Sequence, residues 1–200
     1  MFPKTCGFDR LFDTVKDRSM LTEDRLNALY NVGLYCSNLE GDFAELGCHA
    51  GGTSLLLSSI VKSPNRMHSF DSFEGLSAPT VQDFVNEKVY VHKGESKSNY
   101  ESVREYLPET VKLYKGWIED TIQLVEDRKF SLVHIDMDLY EPTKLAMRFI
   151  WKRMVRGGYI VFDDYRWGTT PGIAKAVDEF FVDIMKHQHY YIYPQLGIMK

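Results

Sequence analysis

The chain has 200 residues, of which 44% are hydrophobic, with a formal net charge of -4 and a pI near 5.9. This length can bury a full core in one compact domain, and the acidic balance with scattered Lys and Arg argues against nucleic-acid or membrane partners. The start lacks the apolar core of a signal peptide, and no apolar run approaches the ~20 residues of a membrane span. Because the cysteines form no CxxC pair either, we expect a cytoplasmic protein.

The first predicted element is a helix over residues 22–38. Apolar residues recur along it at nearly helical spacing, and Thr22 is placed to cap it. Arg25 and Asn27 fall on the side opposite the apolar residues. We expect an N-terminal helical lead-in or lid segment over residues 1–40, followed by the main domain over residues 41–200.

Strands and helices then alternate along the chain. The predicted strands cover 41–47, 66–71, 111–116, 131–136 and 158–164, and the predicted helices cover 49–61, 101–108, 141–154 and 170–186. This alternation is typical of an α/β fold with a parallel, doubly wound sheet and crossover helices on both faces. The tail over 189–200 predicts two more short strands that form an antiparallel pair at one edge.

Acidic residues lie at the ends of most of these strands, at Glu45, Asp71, Asp136, Asp138, Asp163 and Asp164. In a doubly wound sheet, ligands bind beyond the carboxyl ends of the strands. Four carboxylates after two neighbouring strands are costly unless a cation or a reacting group uses them. Taken alone, Asp163 and Asp164 could be a turn cap and a solvated acid, but together with Asp136 and Asp138 they predict a metal-assisted enzyme.

A glycine-rich turn, GCHAGG, follows the first strand at residues 47–52. Glycine lets the backbone approach a ligand closely, but the spacing departs from the GxGxxG of dinucleotide sites. Glu45 suits a cationic ligand without phosphate, such as S-adenosylmethionine. Asp71 follows Gly52 by 19 residues, near the ~20-residue spacing at which an acid binds ribose hydroxyls. The alternative is a tight turn with a local cap.

Seven blocks of sequence, in order, resemble the macrocin O-methyltransferase (TylF-type) family of S-adenosylmethionine-dependent enzymes. They are LTEDR, GDFAELGCHAGGTS, FDSFEGL, KGWIEDT, HIDMDLYEPT, GGYIVFDDY and GIAKAVDEFF. The resemblance runs from about residue 20 to the C-terminus. It implies the class I methyltransferase fold, a Rossmann-like, mostly parallel seven-stranded sheet with an antiparallel C-terminal edge pair.

The resemblance also implies a cofactor site. Glu45, Gly47 and Gly51 would line the methionine end of S-adenosylmethionine, Asp71 would hold the ribose, and the segment at Trp117 and Ile118 would flank the adenine. For Trp117 a core aromatic is the alternative. The full set implied to bind the cofactor is Glu45, Gly47, Gly51, Thr53, Asp71, Ser72, Trp117, Ile118 and Asp136.

A metal site and a catalytic pair follow from the same resemblance. Asp136, Asp163 and Asp164 would bind Mg²⁺, which prefers hard oxygen ligands and can lower the pKa of a bound hydroxyl. Asp138 is the candidate general base, and Asp136 and Asp138 are the predicted catalytic residues. Metal-dependent catechol methyltransferases have a lysine where this chain has Leu139, so a lysine mechanism is not supported.

The sequence therefore predicts an S-adenosylmethionine- and Mg²⁺-dependent O-methyltransferase acting on a hydroxyl of a small molecule, such as a sugar or another natural-product intermediate. The family implies a homodimer, and an acceptor site covered by residues 1–20, 75–100 and 165–171, with walls at Tyr165, Arg166 and Trp167. Two alternatives stay open: a nucleotide-dependent oxidoreductase on a similar sheet, and a non-catalytic cofactor-binding protein of the same fold.

Overall fold

The structure is a computed structural model that describes residues 2–64 and 66–200. The described residues form seven strands: β1 Asp42–Leu46, β2 Met67–Asp71, β3 Val111–Lys115, β4 Phe130–Ile135, β5 Met154–Phe162, β6 His189–Ile192 and β7 Gln195–Met199. The helices of the same residues are α1 Cys6–Val15, α2 Glu23–Cys36, α3 Gly52–Ser58, α4 Tyr100–Tyr106, α5 Ile118–Thr121, α6 Tyr140–Trp151 and α7 Pro171–Phe180. Short 3₁₀ turns lie at Lys16–Arg18, Val81–Asp83, Ile122–Val125 and Ile184–Lys186.

All of these strands belong to one sheet with the order β3-β2-β1-β4-β5-β7-β6. Strands β1 to β5 run parallel to one another. β7 pairs antiparallel with β5, and β6 pairs antiparallel with β7 at the edge. The predicted mostly parallel sheet with an antiparallel C-terminal pair is confirmed.

Helices cover both faces of this sheet. Neighbouring residues of a strand point to opposite faces, so Phe43 and Leu132 pack with α1 to α4, whereas Ala44 and Val133 pack with α5, α6 and α7. The central strands are buried on both sides, as expected of a doubly wound sheet. Because α1 and α2 contribute to the same core as α3, the lead-in packs directly on the main fold; the division at residue 40 stays a prediction.

Some predicted boundaries are wrong. The helix predicted over 141–154 ends at Trp151, and Met154 instead begins β5 opposite Phe130. A short apolar run fits the repeat of a helix as well as that of a strand, so the pairing of its backbone decides which one forms. The helix predicted over 170–186 ends at Phe180. No described helix is both long enough and apolar enough to span a bilayer.

The lead-in differs from its prediction in detail. An additional helix, α1, begins after Thr5, whose hydroxyl accepts a hydrogen bond from the Phe8 amide at 3.3 Å. Thr22 occupies the N-cap position of α2 but makes no capping bond with its side chain. Asn27 was assigned to the side away from the apolar residues, but it is buried. Its side-chain amide can be buried because it donates to the Phe2 carbonyl at 3.1 Å.

Candidate active site

The strand register brings the ends of four central strands to one level. Leu46 of β1 is paired with Phe70 of β2 and Ile135 of β4, and Ile135 is paired with Phe162 of β5. The residues that follow at this edge are Gly47, Asp71, Asp136 and Asp163. A cavity of about 310 Å³ lies against them, near the lower end of the ~300–1,000 Å³ range of small-molecule sites.

The turn after β1 is shaped by glycine. Gly47 has φ +92°, and a Cβ there would collide with the Asp136 carbonyl oxygen. Only glycine therefore lets the β1 and β4 loops approach each other. Gly47 and Thr53 line the cavity, whereas a Cβ on Gly51 would point at Val103 Cγ1, 3.2 Å away. The cofactor roles of all three residues stay predictions.

Glu45 and Asp71 lie in the cavity wall and are held by donors from the protein. Glu45 is 1% exposed and accepts hydrogen bonds from Ser54 Oγ and, at 3.2 Å, from His134 Nδ1. The two Asp71 oxygens accept from the backbone amides of His49 at 2.8 Å and Phe73 at 2.7 Å. Burial raises the pKa of Asp71. Each carboxylate oxygen keeps a lone pair for a ligand.

The remaining predicted cofactor residues lie at the same end of the cavity. Trp117 and Ile118 form its wall next to Gly116, whose amide donates to the Asp71 carbonyl at 3.0 Å. Ser72 also lines the cavity, but its hydroxyl donates to the Gly75 carbonyl at 2.8 Å. The ends of β1, β2 and β3 thus bring the residues predicted to bind methionine, ribose and adenine around one space.

Three acids form a cluster at the other end. Carboxylate oxygens of Asp136, Asp138 and Asp164 lie within 4.8 Å of one another. Burial, followed by the negative charges of Asp163 and Asp138, raises the pKa of Asp136 well above its ordinary value. Burial also raises the pKa of Asp138, and burial with the charges of Asp163 and Asp138 raises the pKa of Asp164 to about 7. The cluster therefore retains protons that its carboxylates would lose in water, because their full ionisation is uncompensated. Its hard oxygens fit a divalent cation such as Mg²⁺.

Asp163 is held apart from this cluster. It is 2% exposed, and its Oδ2 accepts a hydrogen bond from Arg25 Nη1, which also lies 3.4 Å from Asp164 Oδ1. The second oxygen, Oδ1, is buried without a hydrogen-bond partner among residues 2–64 and 66–200. The structure thus groups Asp136 with Asp164 and Asp138, and the role of Asp163 as a metal ligand stays a prediction.

Arg25 is the site residue that the sequence pattern missed. Its side chain is 11% exposed and lines the cavity, although the helical pattern had placed it opposite the apolar side of α2. Its contact with Asp163 joins residues 138 positions apart. No local spacing in the sequence marks a contact of that range.

Of the three wall residues proposed for the acceptor, Trp167 lines the cavity. Its backbone amide donates to the Asp164 carbonyl at 2.9 Å, which closes the turn that follows the acids. The Tyr165 hydroxyl donates to Asp178 at 2.6 Å, and Arg166 pairs with Asp178 at 3.7 Å. These two residues therefore support the loop, while Trp167 faces the space between cofactor residues and acids.

The strand order, and the cavity at the point where that order reverses, define the class I methyltransferase fold. Among solved structures, the O-methyltransferase NovP matches with a TM-score of 0.73 at 23% identity, covering 92% of this chain and 82% of that chain. The chain belongs to the macrocin-O-methyltransferase (TylF) family, which matches residues 12–188.

Two curated relatives come from Streptomyces. The 8-demethyl-8-(2,3-dimethoxy-alpha-L-rhamnosyl)-tetracenomycin-C 4'-O-methyltransferase of Streptomyces olivaceus is 27% identical, over 62% of this chain and 53% of the relative. The demethyldecarbamoylnovobiocin O-methyltransferase of Streptomyces niveus is 27% identical, over 72% of this chain and 59% of the relative. The chain thus spans between half and two thirds of the length of these two proteins.

Proposed function

We propose that this protein is an S-adenosylmethionine- and Mg²⁺-dependent O-methyltransferase that acts on a hydroxyl group of a small molecule, such as the sugar of a glycosylated natural product. Family membership supports methyl transfer to oxygen, and the two relatives are named for methylating natural-product compounds. The observation that carries the proposal is that one cavity holds both the Glu45 and Asp71 region and the three-acid cluster.

The cofactor end fits a ligand with cationic groups. Glu45 is buried and Asp71 is partly buried in the cavity wall, and both are oriented by hydrogen bonds that leave lone pairs free. A positively charged amino group or sulfonium gains from such acids, whereas a pyrophosphate would be repelled. Trp117 and Ile118 offer an apolar wall for a planar base. Asp71, at the end of β2, would accept hydrogen bonds from the ribose hydroxyls.

The acid cluster fits the activation of a hydroxyl. Bound there by Asp136 and Asp164, Mg²⁺ would orient acceptor hydroxyl oxygens and lower their pKa. Asp138 is in the same cluster, and its carboxylate is the candidate general base. Asp138 would accept the hydroxyl proton, and S-adenosylmethionine, when bound, would supply the methyl group and leave as S-adenosylhomocysteine. Holding the two reactants in line supplies the remaining gain in rate.

The first test is a calorimetric titration with S-adenosylhomocysteine, with and without Mg²⁺. We expect micromolar binding by the wild-type protein, followed by methyl transfer in an acceptor screen that contains Mg²⁺. Asp164→Asn should lose Mg²⁺-dependent turnover and keep cofactor binding. Asp120→Asn is the matched control, because that side chain is exposed on α5 and should change neither. Absence of S-adenosylhomocysteine binding in both conditions would refute the cofactor assignment.

A homodimer is part of the same proposal. It rests on the family resemblance, and sedimentation of the purified protein with and without S-adenosylhomocysteine tests it. A single species of about twice the mass of one chain is expected; a monomer at all concentrations would contradict it.

A further inference from the structure

Arg25 is the one cationic side chain that contacts the acids at the end of β5 in the described part of the chain. Its Nη1 donates to Asp163 Oδ2 and lies 3.4 Å from Asp164 Oδ1. The Asp163 side chain is 3% exposed and the Arg25 side chain 11%. The guanidinium therefore supplies positive charge at a buried place where Mg²⁺ is proposed to bind.

The two cations would draw on the same carboxylate groups. Asp164 belongs to the three-acid cluster and to the Arg25 contact at the same time. Asp163 has one oxygen on Arg25, while the other is buried without a partner in residues 2–64 and 66–200. A buried carboxylate oxygen without a donor is costly. Asp163 Oδ1 therefore still needs a donor or a cation when Arg25 is in place.

We propose that Arg25 is an internal cation that holds Asp163 and Asp164 in the metal-free protein, and that a divalent ion must displace its guanidinium to bind all the acids at this edge. This inference rests on the proposed Mg²⁺ site. Asp163 would then be paired with Arg25 in the metal-free protein and become a metal ligand once the guanidinium has left. Arg25 is accordingly a positioning residue, since it decides which carboxylates are free for the ion.

Displacement of the guanidinium also affects the lead-in. Arg25 Nη2 donates to the Met20 carbonyl at 3.3 Å, and Nε lies 3.4 Å from Thr22 Oγ1. Arg18 and Met20, from the same stretch, line the cavity. When the guanidinium leaves the acids, the ion pair no longer holds it in place, and its hydrogen bonds to Met20 and Thr22 are lost as well. Binding of the ion is thereby coupled to a looser segment around residues 19–24, next to the acceptor space.

The test is a calorimetric titration of MgCl₂ into the metal-free protein, without cofactor or acceptor. Arg25→Met removes the competing charge and keeps the length of the side chain, so its Mg²⁺ affinity should rise about tenfold, in line with the loss of a hydrogen bond between charged groups. Arg25→Lys keeps a charge without the planar fork and should show an intermediate affinity. Lys4→Met is the matched control. Lys4 pairs at 2.7 Å with Glu23, which lies in the first turn of α2 as Arg25 does, so this variant should leave the affinity unchanged.

Hydrogen exchange gives a second readout that a purely structural role would not produce. In the wild-type protein, addition of Mg²⁺ should speed amide exchange in residues 19–24. The Arg25→Met variant should already show the fast exchange without Mg²⁺. If Arg25→Met does not fold, the wild-type exchange and the Arg25→Lys titration decide the question alone.

The outcomes separate this inference from the proposed function. Mg²⁺ binding by the wild type with equal or weaker binding by the Arg25 variants would overturn the competition and leave the metal site intact. Slower exchange in residues 19–24 after addition of Mg²⁺ would overturn the competition as well. Binding only after Arg25 is replaced would support the competition strongly. No Mg²⁺ binding by any variant would overturn both the inference and the metal part of the proposed function, while S-adenosylhomocysteine binding still tests the cofactor part.

Discussion

The two ends of the cavity hold their acids in opposite ways. Glu45 and Asp71 accept hydrogen bonds from Ser54, His134 and backbone amides. The cluster of Asp136, Asp138 and Asp164 instead brings carboxylates against one another, and all three pKa values are raised. Donors built into the fold compensate the acids of one end, whereas the acids of the other end mainly face one another, which is why we propose a cation there.

The largest expected effect tests the acid end by removing the candidate base. Asp138→Asn keeps the shape of the side chain but cannot take a proton, so kcat should fall by ~10²- to 10⁴-fold. Affinity for S-adenosylhomocysteine, which is bound at the other end, should stay unchanged. The measurement is the initial rate with whichever hydroxyl acceptor the wild type methylates. A kcat equal to that of the wild type would remove Asp138 from catalysis.

The reverse pattern is expected at the cofactor end. Asp71→Asn removes the charge that would face ribose hydroxyls and places an amide against the His49 and Phe73 N–H groups. Affinity for S-adenosylhomocysteine should fall about 10- to 100-fold, the loss expected for a hydrogen bond to a charged group. Calorimetry measures it, with the Mg²⁺ affinity of the same variant as the control. A variant that loses Mg²⁺ binding instead would show that the two ends are not independent.

The electrostatic difference between the ends also predicts a pH dependence. The folded protein keeps protons on Asp136 and Asp164 at pH values where the unfolded chain has lost them. The folded state binds more protons, so the free energy of unfolding without metal should fall as pH rises from about 4 to about 7. Mg²⁺ would compete with these protons, so it should stabilise the protein more at about pH 8 than at about pH 5.5. At 100 times Kd its full stabilisation is ~2.7 kcal/mol.

Thermal unfolding with and without MgCl₂ at both pH values measures this linkage. Asp164→Asn is the control, since it removes the group whose pKa is raised to about 7. The variant should show a smaller difference between the two pH values. An equal Mg²⁺ effect at both pH values in the wild type would contradict the linkage.

The smallest effect on the cavity is expected from a buried network within β1, β2 and β3 that does not line the cavity. His68 Nε2 lies 2.9 Å from Asp42 Oδ2, and its Nδ1 lies 2.9 Å from the Tyr114 hydroxyl. His68→Phe removes both bonds and should lower the free energy of unfolding by ~1–3 kcal/mol. Urea denaturation measures the loss. Affinities for Mg²⁺ and S-adenosylhomocysteine should stay unchanged; a change in either would show that the corresponding end of the cavity depends on this network.

Much of the fold followed from local pattern. Each of the five parallel strands was predicted close to its place, because a buried strand between turn residues has a distinct composition and length. Errors fell at element ends, as at Met154, and at α1, which was not located although Phe8, Leu11, Phe12 and Val15 recur there at helical spacing.

The sequence by itself determined that acids follow the strands at one edge and that a glycine turn follows β1, because strand period and turn chemistry are local properties. Only the tertiary structure decided which of these acids face one another. Asp138 and Asp164 have φ values of +60° and +53°, so their side chains leave the alternation of the strands. The Arg25 contact with Asp163 spans 138 residues, and such a contact depends on how a helix packs on the sheet, which no spacing along the chain encodes.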